Sequence, residues 1–116
     1  MAQLTESVRL EQKGDIAVIT ISNPPVNALS YHVRQGLIDG IKEAEASSAS
    51  AIVLICDGRT FIAGADITEF SQAPKPPSLQ AGQDAMENCS KPVIAAIHGT
   101  ALGGGLEVAL CAHYRV

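Results

Sequence analysis

Ten residues, His98 to Glu107 (H-G-T-A-L-G-G-G-L-E), constrain this chain more than any other stretch. An apolar β-type run, Pro92-Val93-Ile94-Ala95-Ala96-Ile97, leads in, and a helix-compatible run, Leu106-Glu107-Val108-Ala109-Leu110, leads out. At the junction stand Gly103, Gly104 and Gly105, where the absence of side chains lets the backbone approach another group closely. A helix that starts at such a turn presents unpaired N–H groups and the positive end of its dipole. That is a place to hold an anion or a developing oxyanion. A glycine run after a strand also serves as a plain tight turn with close helix packing, and spacing alone leaves both readings open. The stretch is not a phosphate-binding P-loop, since no Gly-Lys-Ser/Thr follows, nor does it hold G-x-G-x-x-G in the dinucleotide frame. Glu107, three residues after Gly104, shares a helix side with it if both belong to the first turn. Leu106, Val108, Ala109, Leu110 and Cys111 leave little polar face around Glu107, so an idle, exposed carboxylate is not expected there.

The remaining chain alternates strands and helices. Val8–Gln12 and Asp15–Ser22 read as a hairpin turned at Lys13-Gly14, with Ile16, Val18 and Thr20 alternating against Ala17, Ile19 and Ile21. The second strand is apolar on both faces, so both faces are expected to be covered. Asn23-Pro24-Pro25-Val26-Asn27 ends it, because the prolines remove ladder donors. Ser30 is the expected N-cap of a helix from Tyr31 to about Ala46. Its inner stripe is Val33, Leu37, Ile38, Ile41 and Ala44, with Arg34, Lys42, Glu43 and Glu45 on or near the other side. Ala51–Cys56 is a short continuous apolar run, expected as a buried strand. Asp57-Gly58-Arg59 turns the chain, Thr60–Asp66 brings small residues to a short extended piece, and Asp66 caps a short helix from Ile67 to Phe70. Residues 73–77 (A-P-K-P-P) read as an exposed, mobile loop. Ser78–Cys89 is helix-compatible, with Leu79, Gln83 and Met86 on one side, and His113–Val116 begins another strand. The pattern is α/β, a layered domain, and the end at Val116 on a strand marks an expected N-terminal piece of a longer domain.

Composition narrows the function classes. With 47% hydrophobic and 17% charged residues the chain is expected to fold, and with 3% aromatics its core must come from Ala, Val, Ile and Leu. A net charge of −4 without a basic cluster argues against nucleic-acid binding. Cys56, Cys89 and Cys111 lack metal-type spacing, and with no His/Cys/Asp cluster no metal is expected. Reduced, buried thiols point to an intracellular setting. The first residues lack the apolar core of a signal peptide, and no apolar run reaches the length of a membrane span.

Three stretches carry a resemblance. N-P-P-V-N-A-L-S (Asn23–Ser30), F-I-A-G-A-D-I (Phe61–Ile67) and G-T-A-L-G-G-G-L-E-V-A-L (Gly99–Leu110) resemble, in this order, the crotonase family of enoyl-CoA hydratases and isomerases. The first of these in the chain, with G-L-E-V-A-L-C-A-H-Y-R-V, looks most like the hydratase part of bifunctional enoyl-CoA hydratase/3-hydroxyacyl-CoA dehydrogenases. The fold so implied is a crotonase-like spiral of repeated β-β-α units, incomplete at the C-terminus over residues 1–116.

The resemblance implies an enzyme that adds water to a 2-enoyl-CoA in fatty acid β-oxidation. An oxyanion hole would form from the N–H groups of Ala65 and Gly104, with Glu107 as general base toward the water. A second family glutamate matches no residue up to Val116. Val26, Ala28, Leu29, Ala65, Asp66, Ile67, Thr68, Gly103 and Gly104 match substrate-binding positions for an acyl-CoA thioester. Single-function members commonly carry a lysine near Thr68, and their first loop is longer, so individual coenzyme A contacts differ here. Asp66 keeps its reading as a helix cap and His98 a structural one; His32 and His113 are read as surface or packing residues. No cofactor is implied, coenzyme A being part of the substrate; NAD enters only where a dehydrogenase domain follows. A homotrimer is implied for the full-length parent, or a monomer where the enzyme is bifunctional. An isomerase of the same family, or a non-catalytic acyl-CoA-binding piece, stays open beside the hydratase.

Overall fold

The chain, described over residues 2–116 in a computed structural model, builds one sheet of six strands in sequence order: β1 (Ala2–Thr5), β2 (Val8–Lys13), β3 (Ile16–Ile21), β4 (Ala51–Cys56), β5 (Val93–Ala95) and β6 (Tyr114–Arg115). The pairs β1–β2 and β2–β3 are antiparallel, whereas β3 to β6 run parallel to one another. The β2–β3 register runs from Val8↔Ile21 to Lys13↔Ile16. The turn is therefore Gly14-Asp15, one residue later than the pattern predicts. Strand β1 was not legible in the sequence; the polar A-Q-L-T alternates too briefly to stand out from a terminal segment.

Parallel neighbours need crossovers, and these carry α1 (Tyr31–Ala46), α2 (Leu79–Glu87) and α3 (Gly104–Cys111), with a single 3-10 turn at Ile67–Glu69. The order β3, β4, β5, β6 advances in one direction, so right-handed crossovers set every helix on the same face. Accordingly Ala17, Ile19 and Ile21 of β3, Ile52, Leu54 and Cys56 of β4, and Val93 and Ala95 of β5 share one core with Val33, Leu37 and Ile41 of α1, Met86 of α2, and Val108 and Ala109 of α3. On the opposite face Ile16, Val18, Val53, Ile55 and Ile94 are only half-buried. The expectation that both faces of β3 are covered thus holds on that face only at Thr20, which is 1% exposed, because every crossover helix lies on the other side.

The β-β-α repeat is visible mainly in hydrogen bonds. After β4, Thr60–Ala65 runs extended, and Phe61 N–H donates to His98 O at 2.7 Å. The same piece forms a lone bridge between Leu29 and Ala65. These pieces lie where the second strands of the units are expected, joined by that single bridge. They follow the carboxyl ends of β3, β4 and β5, where open α/β sheets bind ligands.

Helix α1 buries Val33, Gly36, Leu37, Ile38, Gly40, Ile41 and Ala44, which contains the predicted stripe. Ser30 does occupy the N-cap position, but its side chain makes no capping bond. The Tyr31 N–H instead donates to Glu69 Oε2 at 2.9 Å, a carboxylate brought from another crossover. Asp66 caps as predicted, accepting from the Thr68 N–H at 3.0 Å. Asn27, at φ +54°, is buried; its Oδ1 accepts from Asn23 N–H while its Nδ2 donates to Asp57 O and Thr60 O. One side chain thereby fixes the first loop to the turn after β4. That turn is also held by Arg9, whose guanidinium bonds both oxygens of Asp57 and keeps its carboxyl below the usual carboxylate range.

All three cysteines are free thiols; Cys56 and Cys89 are buried and Cys111 is partly so. Burial pushes the Cys56 thiol up to about 12. Thiolate is the reactive form, so Cys56 should label last with iodoacetamide at pH 8 in native protein, and at the rate of a free thiol after unfolding. Mass mapping of the labelled peptides checks this; early modification of Cys56 in folded protein would contradict its burial.

Candidate active site

The first loop arrives beside the A-G-A-D segment through backbone bonds. Leu29 N–H donates to Gly64 O at 2.9 Å and Ala63 N–H to Val26 O at 3.1 Å. The glycine turn closes on the same segment from the other side, with Leu102 N–H donating to Ile62 O at 3.3 Å. Gly103 turns the chain at φ +53°, and α3 starts at Gly104. A Cβ on Gly104 would stand 2.7 Å from Leu29 Cδ1. A Cβ on Gly105 would stand 1.9 Å from Ile62 O, a contact only glycine permits. Leu29 thus touches both halves: it bridges to Ala65 and packs against Gly104.

Among the described residues, neither the Ala65 N–H nor the Gly104 N–H donates to a protein acceptor. Two free donors from separate crossovers therefore flank Leu29. Glu107 lies in the first turn of α3, and its Oε2 accepts from Gln83 Nε2 at 3.1 Å. The carboxylate is exposed, contrary to the reading drawn from its apolar neighbours. Helix α3 is apolar on both sides: Gly105, Val108 and Ala109 pack inward, while Leu106 and Leu110 face outward, 44% and 59% exposed. Neighbours in sequence said nothing about which side Glu107 would take. Free N–H donors can stabilise an oxygen that gains negative charge, and the carboxylate can accept and return a proton.

Two cavities open on this region. One, of about 450 Å³, is lined by Val26, Ala28, Ala65, Asp66, Ile67 and Thr68, among others. The second, of about 570 Å³, takes Leu29, Ala65, Asp66, Arg34, Glu69 and Leu79 into its wall. Ala65 and Asp66 are common to both. Six of the predicted binding residues therefore meet around the first cavity and Leu29 joins them at the second, whereas Gly103, Gly104 and Glu107 line neither.

The family model described as enoyl-CoA hydratase/isomerase matches residues 11–116. The chain belongs to the enoyl-CoA hydratase/isomerase family. It is 47% identical over 106 residues to the peroxisomal bifunctional enzyme of Danio rerio, covering 90% of this chain and 15% of that protein. To the probable enoyl-CoA hydratase of Bacillus subtilis it is 45% identical, covering 87% of this chain and 42% of the other. Among solved structures, an enoyl-CoA hydratase/carnithine racemase from Magnetospirillum magneticum superposes with a TM-score of 0.87 at 32% identity, over 95% of this chain and 45% of that one. The chain thus spans less than half the length of these relatives.

The crotonase fold expected from the motifs is the fold observed. No helix of the described residues is long and apolar enough to cross a membrane. His98 Nε2 lies 2.8 Å from Gly58 O, His32 Nε2 3.3 Å from Glu6, and His113 Nδ1 accepts from Val93 N–H at 2.9 Å. All three serve local structure. Sequence reasoning missed three polar residues of the candidate site: Gln83, Arg34 and Glu69. Gln83 gave a signal, since it sits between Leu79 and Met86 on the inner stripe of α2 and is 6% exposed. Arg34 and Glu69 gave none beyond ordinary helix polarity.

Proposed function

We propose that this chain supplies the acyl-CoA cradle and oxyanion-stabilising half of an enoyl-CoA hydratase. The observation that carries this reading is the pair of free donors, Ala65 N–H and Gly104 N–H, on either side of Leu29 with Glu107 on the same helical turn as Gly104. A thioester carbonyl bound between the donors gains negative charge as water adds to the conjugated double bond. Preorganised N–H groups stabilise that enolate, each by about 3 kcal/mol in the transition state. Glu107, steadied by Gln83, takes the proton from the attacking water as its oxygen bonds to the β-carbon, and the proton returned to the α-carbon collapses the enolate to the 3-hydroxyacyl thioester. The adenosine and pantetheine parts of coenzyme A lie along Val26, Ala28 and the Ala65–Thr68 segment. Asp66 shapes that segment as a cap. Adding water neither oxidises nor reduces the substrate, so the reaction asks for no redox cofactor.

The test is hydration of crotonyl-CoA, followed by loss of enoyl absorbance, with the protein at its full natural length beside these 116 residues. The full-length protein should turn over. The 116 residues alone should not, since the family's second glutamate matches nothing here. Tight binding of acyl-CoA without turnover at full length would overturn the hydratase reading in favour of a binding role.

A further inference from the structure

Arg34 reaches across three loops at once. Its side chain is 12% exposed and forms an ion pair with Glu69, Nη1 to Oε1, at 2.9 Å. The same Nη1 donates to Leu29 O at 2.7 Å, Nε to Pro77 O at 2.9 Å and Nη2 to Lys75 O at 3.2 Å. Glu69 in turn accepts the Tyr31 N–H at 2.9 Å, and Lys75 Nζ lies 3.9 Å from the centre of the Tyr31 ring. The loop at 73–77, expected to be mobile, is exposed but anchored at two carbonyls. A guanidinium presents planar, fixed donors, so holding this many carbonyls restrains direction as well as distance.

The restraint ends at Ala65. Leu29, held by Arg34, bridges to Ala65, and the Asp66-capped turn that carries Glu69 begins one residue after Ala65. We propose that the Arg34–Glu69 pair is a positioning device that fixes the aim of the Ala65 N–H and joins it to the floor of the second cavity. The pair touches no reacting atom; it acts through Leu29 and the Asp66 turn. Its kinetic consequence rests on the hydratase reading, while its structural consequence does not.

The test uses the full-length protein with Arg34→Met and Arg34→Lys, the latter keeping charge but losing the fork. Arg9→Met, which breaks the other arginine–carboxylate pair, separates loss of stability from loss of aim. Hydrogen exchange at the bonded amides of Leu29, Thr68 and Glu69 should quicken about tenfold in R34M while Leu37 and Ile41 in α1 stay unchanged. With crotonyl-CoA, kcat should fall about tenfold or more with KM within about threefold, since small misplacements near the reacting centre act on rate. R34K should resemble R34M, and R9M should keep the wild-type kcat. Unchanged exchange at Leu29, Thr68 and Glu69 in a folded variant overturns the inference, as does quickened exchange with unaltered kcat. If R34M does not fold, R34K decides. If the unmutated protein hydrates no enoyl-CoA, the hydratase reading fails and the exchange result alone decides the positioning.

Discussion

Glu107→Gln in the full-length protein lowers kcat for crotonyl-CoA hydration by about 10²–10⁴-fold, the usual range for removal of a general base. The substitution keeps the shape of the side chain. Its amide oxygen still accepts from Gln83 Nε2, which lies 3.1 Å from the carboxylate oxygen. What is lost is the ability to take a proton from water. Because Glu107 is exposed and its one side-chain partner can be retained, the melting temperature should barely move. KM should stay close to wild type, since the coenzyme A part of the cradle is built from other residues. Steady-state kinetics and a thermal melt on the same preparation check this. A kcat within threefold of wild type would remove Glu107 from the mechanism and leave the oxyanion donors to act with another base.

Gly105→Ala should damage folding and rate together. The added carbon would meet Ile62 O at 1.9 Å and Ile62 C at 2.7 Å. Those are backbone atoms of a fully buried residue, so no rotamer change relieves the contact. The start of α3 must withdraw, and with it the Leu102 N–H bond to the same carbonyl. Overpacking of this kind costs about 1–3 kcal/mol or more. A thermal melt should drop by several degrees. Activity should fall further than stability explains, because Gly104 and its free N–H move with the helix. Gly104→Ala is the comparison: its Cβ would meet Leu29 Cδ1 at 2.7 Å and Leu79 Cδ2 at 3.0 Å, both ends of side chains that can turn aside. It should melt closer to wild type than G105A. A wild-type melting temperature for G105A would mean that α3 does not pack against Ile62 as described.

Elements set by local pattern were legible in the sequence, and those set by distant partners were not. The stripe Val33, Leu37, Ile38, Ile41 and Ala44 repeats at helical spacing, and it is the buried face of α1. Asp66 caps within its own turn, so its role could be read from two neighbours. Ser30 looked equally good as a cap. It lost to Glu69, a carboxylate 38 residues from the Tyr31 N–H it accepts, which local pattern cannot weigh. The same reason hides the Arg34 fork, which reads as one more polar helix residue until the loops fold over it. At the candidate site, the glycine turn and the A-G-A-D segment were found as separate motifs. Their meeting at Leu29 belongs to the sheet order. The exposure of Glu107 was misread because α3 carries apolar side chains on both sides, and periodicity then gives no direction.

The parallel order of β3, β4 and β5 has a consequence for length scale. Neighbouring strands stand about 4.8 Å apart, and each step of the spiral repeats that interval. The segment with Ala65 follows β4 and the turn with Gly104 follows β5, its immediate neighbour. Two N–H donors about 2.9 Å from one oxygen, at a near-tetrahedral angle, lie roughly 4.7 Å apart. The sheet's smallest division thus matches the width that a two-donor clasp on a single oxygen atom, such as the one proposed for Ala65 and Gly104, would need. A fold that lays successive turns side by side needs little added distortion to make such a clasp. The loops that finish it can vary in length without changing the division.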